Sequence, residues 1–304
     1  MADEYEFLSL LRARATHEAA RGLLDDVAVL PVGGARLILT SDTIVEGVHY
    51  LPADPPADIG WKLAAVNLSD LAAKGAKPIG CLLNYSLSGD RDWDAAFLDG
   101  LNQALDRHAM PLLGGDTVKM PEGSARSYSL TAIGEASGLV PARTGARGGD
   151  RLYLTGPVGD AGVGLELLRS DPGATGPLVD AYRRPRPRLA EGGLLAPVVT
   201  AMMDVSDGLL IDAARLAQAS GLAAVIDHIP LSRALEKARG ASTATQIAAA
   251  RAGDDYELLF TLPRGSTPPV RAIPVGHVEA GSGLTLVIDG AVVPLPDRLG
   301  WEHG

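Results

Sequence analysis

Aspartates at the ends of apolar runs are the residues of this chain whose type and spacing suggest chemistry. Asp42 follows LILTS, Asp116 follows MPLLGG, and Asp204 lies in AMMDVSDG. An apolar run of this kind predicts a strand, so an aspartate at its end would place a carboxylate at the mouth of that strand. Further acids flank similar runs: Asp25 and Asp26 before VAVL, Asp70 in AVNLSDLAAKGA, and Asp207. We expect these carboxylates to meet in one cleft.

A ring of carboxylates needs positive charge. Two unit charges about 4 Å apart repel by roughly 4 kcal/mol at an effective dielectric of about 20. The ring is therefore stable only if some aspartates are protonated or if hard cations lie among them. Mg²⁺ takes oxygen ligands and commonly bridges carboxylates to phosphates, so the pattern indicates phosphate chemistry.

Two short motifs strengthen this interpretation. TSDT at residues 40–43 and GGDT at residues 114–117 each place small or hydroxyl residues before an Asp-Thr pair. Small residues let the backbone approach a phosphate or a metal. The alternative is an Asx turn at the end of a strand. In DVSDG, Asp204, Ser206 and Asp207 would point into one site if a helix follows, or Ser206 or Asp207 would simply cap that helix. In LLDD, we expect at most one acid to be a direct ligand.

The elements that must position these acids are mixed α and β. We predict a helix at EFLSLLRAR, a hairpin over DVAVLP and ARLILTSD, and a long helix over PADIGWKLAAVNLSDLAAKGA, capped by Asp58 and ended by Gly75. Further strands are predicted at IGCLLNYSL, SYSLTAIGEA, DRLYLTG, LAAVIDHI, DDYELLFTL, AIPVGHV and LTLVIDG. The stretch PARTGARGGD predicts a boundary between domains at 1–147 and 148–304. AYRRPRPRLAEGG reads as a solvated connector, or alternatively as a phosphate contact.

Composition excludes several classes of protein. The chain has 304 residues, 46% of them hydrophobic, and a formal net charge of −10, which argues against a nucleic-acid surface. No apolar run reaches the roughly 18–20 residues of a membrane span. The single cysteine, Cys81, excludes an internal disulfide and is expected to be a core thiol. We expect a cytoplasmic protein.

Familiar catalytic motifs are missing. There is no GxxxxGK[ST] loop, no protein-kinase HRD or DFG set and no GxSxG, and GPVGDAGVG does not match the GxGxxG frame. The six histidines show no zinc-like spacing. His49, close to Asp42 in sequence, is either a substrate contact or a surface residue.

An ordered set of motifs carries a resemblance to a known family. LTSDTIVEGVHY, AVNLSDLAAKGAKP, LLGGDT, RTGARGGDRLYLTGPVGDAGVGL, DVSDGL and AGDDYELLF occur in that order. Together they resemble the thiamine-monophosphate kinase family, within the superfamily of aminoimidazole ribonucleotide synthetase. The resemblance implies a two-domain α/β (mixed α+β) fold and a homodimer that pairs its N-terminal sheets. It also implies ATP-dependent phosphorylation of thiamine monophosphate to thiamine diphosphate, with an N-terminal domain that binds ATP and magnesium.

The resemblance also implies site residues. Several Mg²⁺ ions would be held by Asp26, Thr40 (through its backbone), Ser41, Asp42, Asp70, Asp116, Asp204 and Asp207. ATP would contact Gly115, Asp116, Arg143 and Ser206. Thiamine monophosphate would contact His49, Asp254 and Trp301; core packing is the alternative for Trp301. This chain departs from the family pattern at four positions: Leu24 and Ala252 stand where the family usually has Gly, Asp254 where it has Glu, and Lys74 where Met is common. We expect Lys74 to be a helix-end cation.

The expected mechanism is direct in-line transfer without a general base, because the acceptor phosphate is already ionised near pH 7. Two rival functions remain open at this point. One is a nucleotide or metal sensor without turnover on the same fold, and the other is an ATP-dependent synthetase of the purine branch. Release of ADP with and without thiamine monophosphate would distinguish the kinase from the sensor, and offering the amidine substrate would test the synthetase.

Overall fold

A computed structural model describes residues 4–302, with side chains from Phe7 onward. Residues 1–3 and 303–304, the outer ends of the two predicted domains, lie outside the described part. The described part begins with helix α1 (Glu4–Arg12) and a short 3₁₀ helix (Glu18–Leu23). Within residues 4–302, no helix combines the length and the apolar character needed to cross a membrane.

The N-terminal half forms a five-stranded sheet with helices on one face. Its strands run in the order β1-β2-β5-β3-β4, and only the β3–β4 pair is parallel. Their bounds are β1 (Ala28–Val32), β2 (Ala35–Val45), β3 (Lys77–Leu87), β4 (Leu112–Lys119) and β5 (Ser127–Ala136). Helices α2 (Pro56–Ala73) and α3 (Arg91–Arg107) cover one face, where Leu68, Phe97 and Tyr128 are fully buried. The opposite face carries Ser41, Thr43 and Leu82 and stays open.

The crossing of α2 and α3 requires two glycines. A Cβ on Gly60 would lie 2.2 Å from the Phe97 carbonyl oxygen, and one on Gly100 would lie 1.8 Å from the Ala57 carbonyl oxygen. Helix α2 begins after Pro55, which has no side-chain cap, so the predicted capping by Asp58 is wrong. It ends as predicted before Gly75, whose φ of 60° is in the left-handed region.

The C-terminal half forms a seven-stranded sheet in the order β12-β11-β8-β10-β6-β9-β7, in which only β8 and β11 are parallel. The strands are β6 (Arg151–Leu154), β7 (Ala201–Asp204), β8 (Leu222–Ile226), β9 (Leu258–Leu262), β10 (Ile273–Ala280), β11 (Gly283–Ile288) and β12 (Ala291–Val293). The helices are α4 (Asp160–Ser170), α5 (Pro177–Arg183), α6 (Leu189–Leu195), α7 (Leu209–Ala219), α8 (Arg233–Arg239) and α9 (Thr243–Ala250).

Strand β9 is shorter than the predicted DDYELLFTL. Asp254 and Tyr256 have φ values of 59° and 51°, which no strand tolerates, so residues 254–257 form a loop before Leu258. This loop lies beside the turn after β7, because the Asp254 N–H donates to the Ser206 carbonyl (2.7 Å). The local backbone therefore brings two predicted binding segments together.

The predicted solvated connector at AYRRPRPRLAEGG is wrong. The segment contains the end of α5 and most of α6, and three of its arginines are paired with acids. Arg183 Nε lies 3.0 Å from Asp54 Oδ1, Arg184 Nε lies 2.5 Å from Asp58 Oδ1, and Arg188 binds both oxygens of Glu257. Because Asp54 and Asp58 flank the start of α2, the segment fastens the two halves together.

A shared apolar cluster joins the halves next to the acidic residues. Ala72 of α2 packs with Leu195 of α6, Met202 of β7 and Phe260 of β9. A Cβ on Gly192 would lie 2.0 Å from the Ala72 carbonyl oxygen, so the backbones of α2 and α6 touch directly. The end of α2 is thereby fixed against β7. Cys81 is a buried free thiol, as predicted.

Candidate active site

Three of the predicted metal ligands converge where the two halves meet. One carboxylate oxygen each from Asp26, Asp70 and Asp204 can be chosen so that all lie within 4.8 Å of one another. Asp26 precedes β1, Asp70 lies in the last turn of α2, and Asp204 ends β7. The predicted meeting of aspartates from both halves is observed for these three, while metal binding itself stays a prediction.

Hydroxyl and amide groups orient these acids. The Thr40 hydroxyl donates to Asp70, and Ser69 Oγ donates to Asp204 Oδ2 at 2.5 Å. The Asp42 N–H donates to Asn67 Oδ1 at 3.0 Å. Sequence reasoning missed Ser69 and Asn67, although both lie in NLSD beside Asp70. Two polar residues inside an otherwise apolar buried helix were the available signal.

Burial makes the cluster electrically unfavourable. Burial first, and then the charge of Asp26, raises the pKa of Asp204 to about 8. The same two causes raise the pKa of Asp42 to about 6. Burial and the neighbouring carboxylates, Asp42 foremost, raise the pKa of Asp70 well above its usual value. Asp26 behaves oppositely: its burial is outweighed by Lys74 and Arg143, which hold its pKa well below the usual range.

The donor set fits a hard divalent cation. It offers carboxylate oxygens from three directions, and their mutual repulsion is the kind that a Mg²⁺ ion among them would relieve. Asp42, whose pKa is raised partly by Asp26, adds a fourth acid near this position. Asp26, Asp42, Asp70 and Asp204 are therefore the residues that would hold the ion.

Lys74 is at the end of α2, as expected of a helix-end cation, but it does not face solvent. Its side chain is fully buried, and Nζ lies 2.5 Å from Asp25 Oδ1 and 3.1 Å from Asp26 Oδ2. The side chain is buried because α2 ends inside the interface between the halves.

Arg143, which is predicted to contact ATP, lies beside the cluster. Its guanidinium binds the Asp26 carboxylate, and it lines an open cavity of about 310 Å³. The cavity is also lined by Arg21, Leu24, Asp25, Ala142 and Thr144. Two arginines at a cavity next to the acids could hold a polyphosphate.

Asp116, Gly115 and Ser41 are not brought to the cluster. Ser41 Oγ lies 3.0 Å from Thr131 Oγ1, on the face of β2 opposite to Thr40. Asp116 is exposed on the edge strand β4, opposite Asn84, and its Oδ1 accepts the Thr117 N–H. Gly115 has a φ of 151° and packs against the Leu83 carbonyl, where no Cβ would fit. Their ligand-binding roles stay predictions.

The turn after β7 is held by a residue that sequence reasoning missed. Asp212 Oδ2 accepts the N–H groups of Asp207 (3.1 Å) and Gly208 (3.2 Å), and burial raises the pKa of Asp212 to about 7. Asp207 itself is paired with Arg215 and is not among the three converging acids. An Asp five residues after Asp207, at the start of a predicted helix, was the signal for this turn.

The predicted substrate residues His49 and Asp254 are linked by Lys62. Lys62 Nζ donates to Asp254 Oδ2 (2.7 Å) and to the His49 carbonyl (2.9 Å), and it lies over the Tyr182 ring at 4.2 Å. Its side chain is 2% exposed, while that of Asp254 is 29% exposed. Sequence reasoning missed Lys62 because a lysine in α2 is expected to face solvent.

Trp301, the third predicted substrate residue, is 48% exposed, which argues against simple core packing. The backbone N–H of Trp301 donates to the Asp207 carbonyl at 2.9 Å. This bond places the C-terminal segment beside the turn that carries Ser206 and Asp207.

Comparisons with known proteins agree with this architecture. Residues 24–136 match the N-terminal domain of AIR synthase related proteins, and residues 147–289 match the C-terminal domain. The thiamine-monophosphate kinases of Salmonella typhimurium and Escherichia coli are 36% and 35% identical, over 93% of this chain and 91% of each relative.

Solved structures show the same likeness. AaThiL complexed with AMPPCP and TMP superimposes with a TM-score of 0.88 at 30% identity, covering 99% of this chain and 97% of that one. The hydrogenase maturation protein HypE in complex with ATP, at 19% identity and a TM-score of 0.68, shares the fold. From the two matched domains and the full-length relatives, we conclude that this chain belongs to the thiamine-monophosphate kinase family.

Proposed function

We propose that the protein transfers the γ-phosphoryl group of ATP to thiamine monophosphate, forming thiamine diphosphate. The convergence of Asp26, Asp70 and Asp204 at the junction of the halves carries the proposal. The likeness to AaThiL complexed with AMPPCP and TMP supports the choice of both substrates. Mg²⁺ bound by these acids would neutralise phosphate charge and so lower the repulsion between the two anionic substrates.

The protein's own groups hold and align the substrates. Arg143 would bind the ATP phosphates, since its guanidinium fork suits phosphate oxygens and it lines the cavity beside Asp26. His49 and Asp254 would bind thiamine monophosphate with Trp301, whose exposed ring could stack on the cationic thiazolium. Gly115, Asp116 and Ser206 are proposed to contact ATP, and Thr40 (through its backbone), Ser41, Asp116 and Asp207 to complete the metal set.

No side chain is assigned as a general base. The second pKa of a phosphate monoester is about 6, so the acceptor oxygen is mostly ionised at pH 7. The residues therefore need only hold donor and acceptor in line and exclude water. We therefore propose that the phosphoryl group passes directly from ATP to the acceptor, without a phosphorylated enzyme.

We also propose a cytoplasmic homodimer with residues 1–147 and 148–304 as its domains. The open face of the N-terminal sheet supports the dimer: Ile79 and Leu82 on that face, and Leu113 on edge strand β4, are 38%, 39% and 58% exposed. The only cysteine, Cys81, is a free thiol, which is consistent with a reducing compartment.

An ADP-release assay tests the proposed activity. Purified protein receives ATP and Mg²⁺ with no acceptor, with thiamine monophosphate, and with thiamine, pyridoxal phosphate and the amidine substrate of the purine synthetase as alternatives. We expect release only with thiamine monophosphate, and thiamine diphosphate by mass spectrometry. ATP binding without any release would instead indicate a sensor, and release with the amidine would indicate a synthetase.

A further inference from the structure

Lys74 lies inside the acidic site instead of at the protein surface. Its side chain has no exposed area, and Nζ contacts Asp25 Oδ1 (2.5 Å), Asp26 Oδ2 (3.1 Å) and the Met202 carbonyl (3.4 Å). An ammonium group has three N–H donors, and three oxygens surround this one. The group thus occupies an oxygen-lined position as a bound cation would.

The position is built by the same elements as the predicted metal site. Lys74 follows Asp70 by four residues at the end of α2, so both side chains lie on one face of that helix. Met202 precedes Asp204 on β7, and Asp25 precedes Asp26. Each neighbour of the ammonium is therefore one or two residues from a converging acid, or is itself that acid.

The carboxylates around Lys74 are already neutralised by the chain. Asp25 also binds Arg21, with Nη1 at 2.5 Å from Oδ2, and Asp26 binds Arg143 through its other oxygen. Asp26 thus has a cationic partner on each oxygen, whereas Asp204, among the described residues, is bound only by the neutral Ser69 hydroxyl. Positive charge from the protein is concentrated at the Asp25–Asp26 side of the site.

We propose that the Lys74 ammonium takes the place of one divalent ion at Asp25 and Asp26, so that both acids have cationic partners without metal and the divalent ions bind where Asp26 faces Asp70 and Asp204. A lysine is a compact point charge on a tether, so a chelator cannot remove it. This inference rests on the proposed metal-dependent function and specifies how the chain distributes cations within its site.

Calorimetric titration with Mn²⁺, and thermal unfolding in EDTA and in Mg²⁺, test the inference. Lys74→Met removes the charge and leaves an unbranched side chain that is one heavy atom shorter. We expect the variant to bind one more Mn²⁺ per chain, or to bind it about tenfold or more tightly, because two buried carboxylates lose the cationic partner that they share. Its unfolding temperature should fall in EDTA and recover in Mg²⁺, far more than that of the wild type.

Lys77→Met is the matched control, since Lys77 is exposed three residues away and the change in net charge is the same. It should bind Mn²⁺ and unfold as the wild type does. If Lys74→Met does not fold, the Asp25→Asn/Lys74→Met double variant takes its place: Mn²⁺ binding tighter than wild type supports the inference, and an unchanged isotherm overturns it.

Two negative results have different meanings. Equal Mn²⁺ binding and equal stabilisation by Mg²⁺ in wild type and Lys74→Met would overturn the role of Lys74 and leave the proposed kinase intact. Absence of Mn²⁺ binding in every protein, even with nucleotide present, would overturn the metal site and this inference with it.

Discussion

Individual aspartates in this site have opposite electrostatic roles. Asp26 has a depressed pKa because Lys74 and Arg143 outweigh its burial, so its negative charge is favoured. Asp204 has a pKa of about 8 because burial and Asp26 disfavour its charge. A metal-free site can therefore hold a proton at Asp204, and an incoming cation must displace it. Asp42, with a pKa of about 6, lies between these extremes.

Asp42→Asn should separate catalysis from folding. The Asp42 N–H, which is unchanged by the substitution, makes the bond to Asn67, and the lost carboxylate is one that burial disfavours. We expect an unfolding temperature in EDTA equal to or above wild type, and turnover reduced by more than ~100-fold through loss of a metal ligand. Asp106→Asn, an exposed position on α3, is the control. Near-normal turnover of Asp42→Asn at saturating Mg²⁺ would refute the ligand assignment.

Lys62→Met should affect one substrate selectively. Lys62 fixes Asp254 through a 2.7 Å contact and holds the His49 carbonyl, so it positions two predicted substrate residues. We expect KM for thiamine monophosphate to rise by about tenfold, the size of one lost polar contact. KM for ATP should stay unchanged. Equal increases for both substrates would show that the variant perturbs the site as a whole.

Asp255 should make stability depend on pH away from the metal site. Burial raises its pKa well above the usual value, Oδ1 accepts the Gly159 N–H, and Oδ2 has no partner among the described residues. The folded state then retains a proton that the unfolded state releases. Its contribution to stability is therefore present at low pH and is lost as the pH rises above about 4, the ordinary Asp value.

The Asp255→Asn variant has no ionisable carboxyl group at this position. The difference in free energy of unfolding, wild type minus variant, should therefore decrease as the pH rises from 5 to 8. Urea unfolding in EDTA measures this difference. A parallel pH dependence in the two proteins would show that Asp255 is ionised in the folded state.

At the scale of elements, the sequence predicted regular segments and missed contacts between halves. Helix α2 and the β1–β2 hairpin were predictable because their apolar residues are continuous and Gly33, Gly34 and Gly75 mark their ends. The pairing of Arg184 with Asp58, 126 residues apart, could not be predicted, because no local sequence pattern encodes it. The same holds for Lys74: its burial depends on β7, more than 120 residues away in sequence.

In the α5–α6 segment, Arg188 should stabilise the protein more than Arg184 does. Arg188 binds both oxygens of Glu257, whose side chain is only 7% exposed, whereas Arg184 is 36% exposed at its pair with Asp58. Arg188→Met should lower the free energy of unfolding by roughly 3–5 kcal/mol, because a buried carboxylate loses its partner. Arg184→Met should cost below about 1 kcal/mol. Equal losses in urea titrations would contradict this ranking.

At the scale of the whole molecule, the N-terminal sheet is covered on one face only. Its helices bury Leu83 and Tyr85, while Leu82 and Asn84 alternate onto the open face and every residue of β4 is exposed. Edge strands with exposed apolar side chains are normally covered in stable proteins. Asp116 and Ser41, the predicted ligands that lie away from the converging acids, are found on this uncovered part.

Leu82→Glu should therefore convert a dimer into a monomer. A charge on the open face would have to be buried without a partner when two sheets pair, which costs several kcal/mol per subunit. Light scattering after gel filtration should give the mass of two chains for wild type and of one chain for the variant, with unfolding of the isolated chain unchanged. Val292→Glu, at a position 74% exposed on β12, is the matched control and should stay dimeric. A dimeric Leu82→Glu protein would exclude the open face as the contact between copies, and Asp116 would then have to reach the site within one chain.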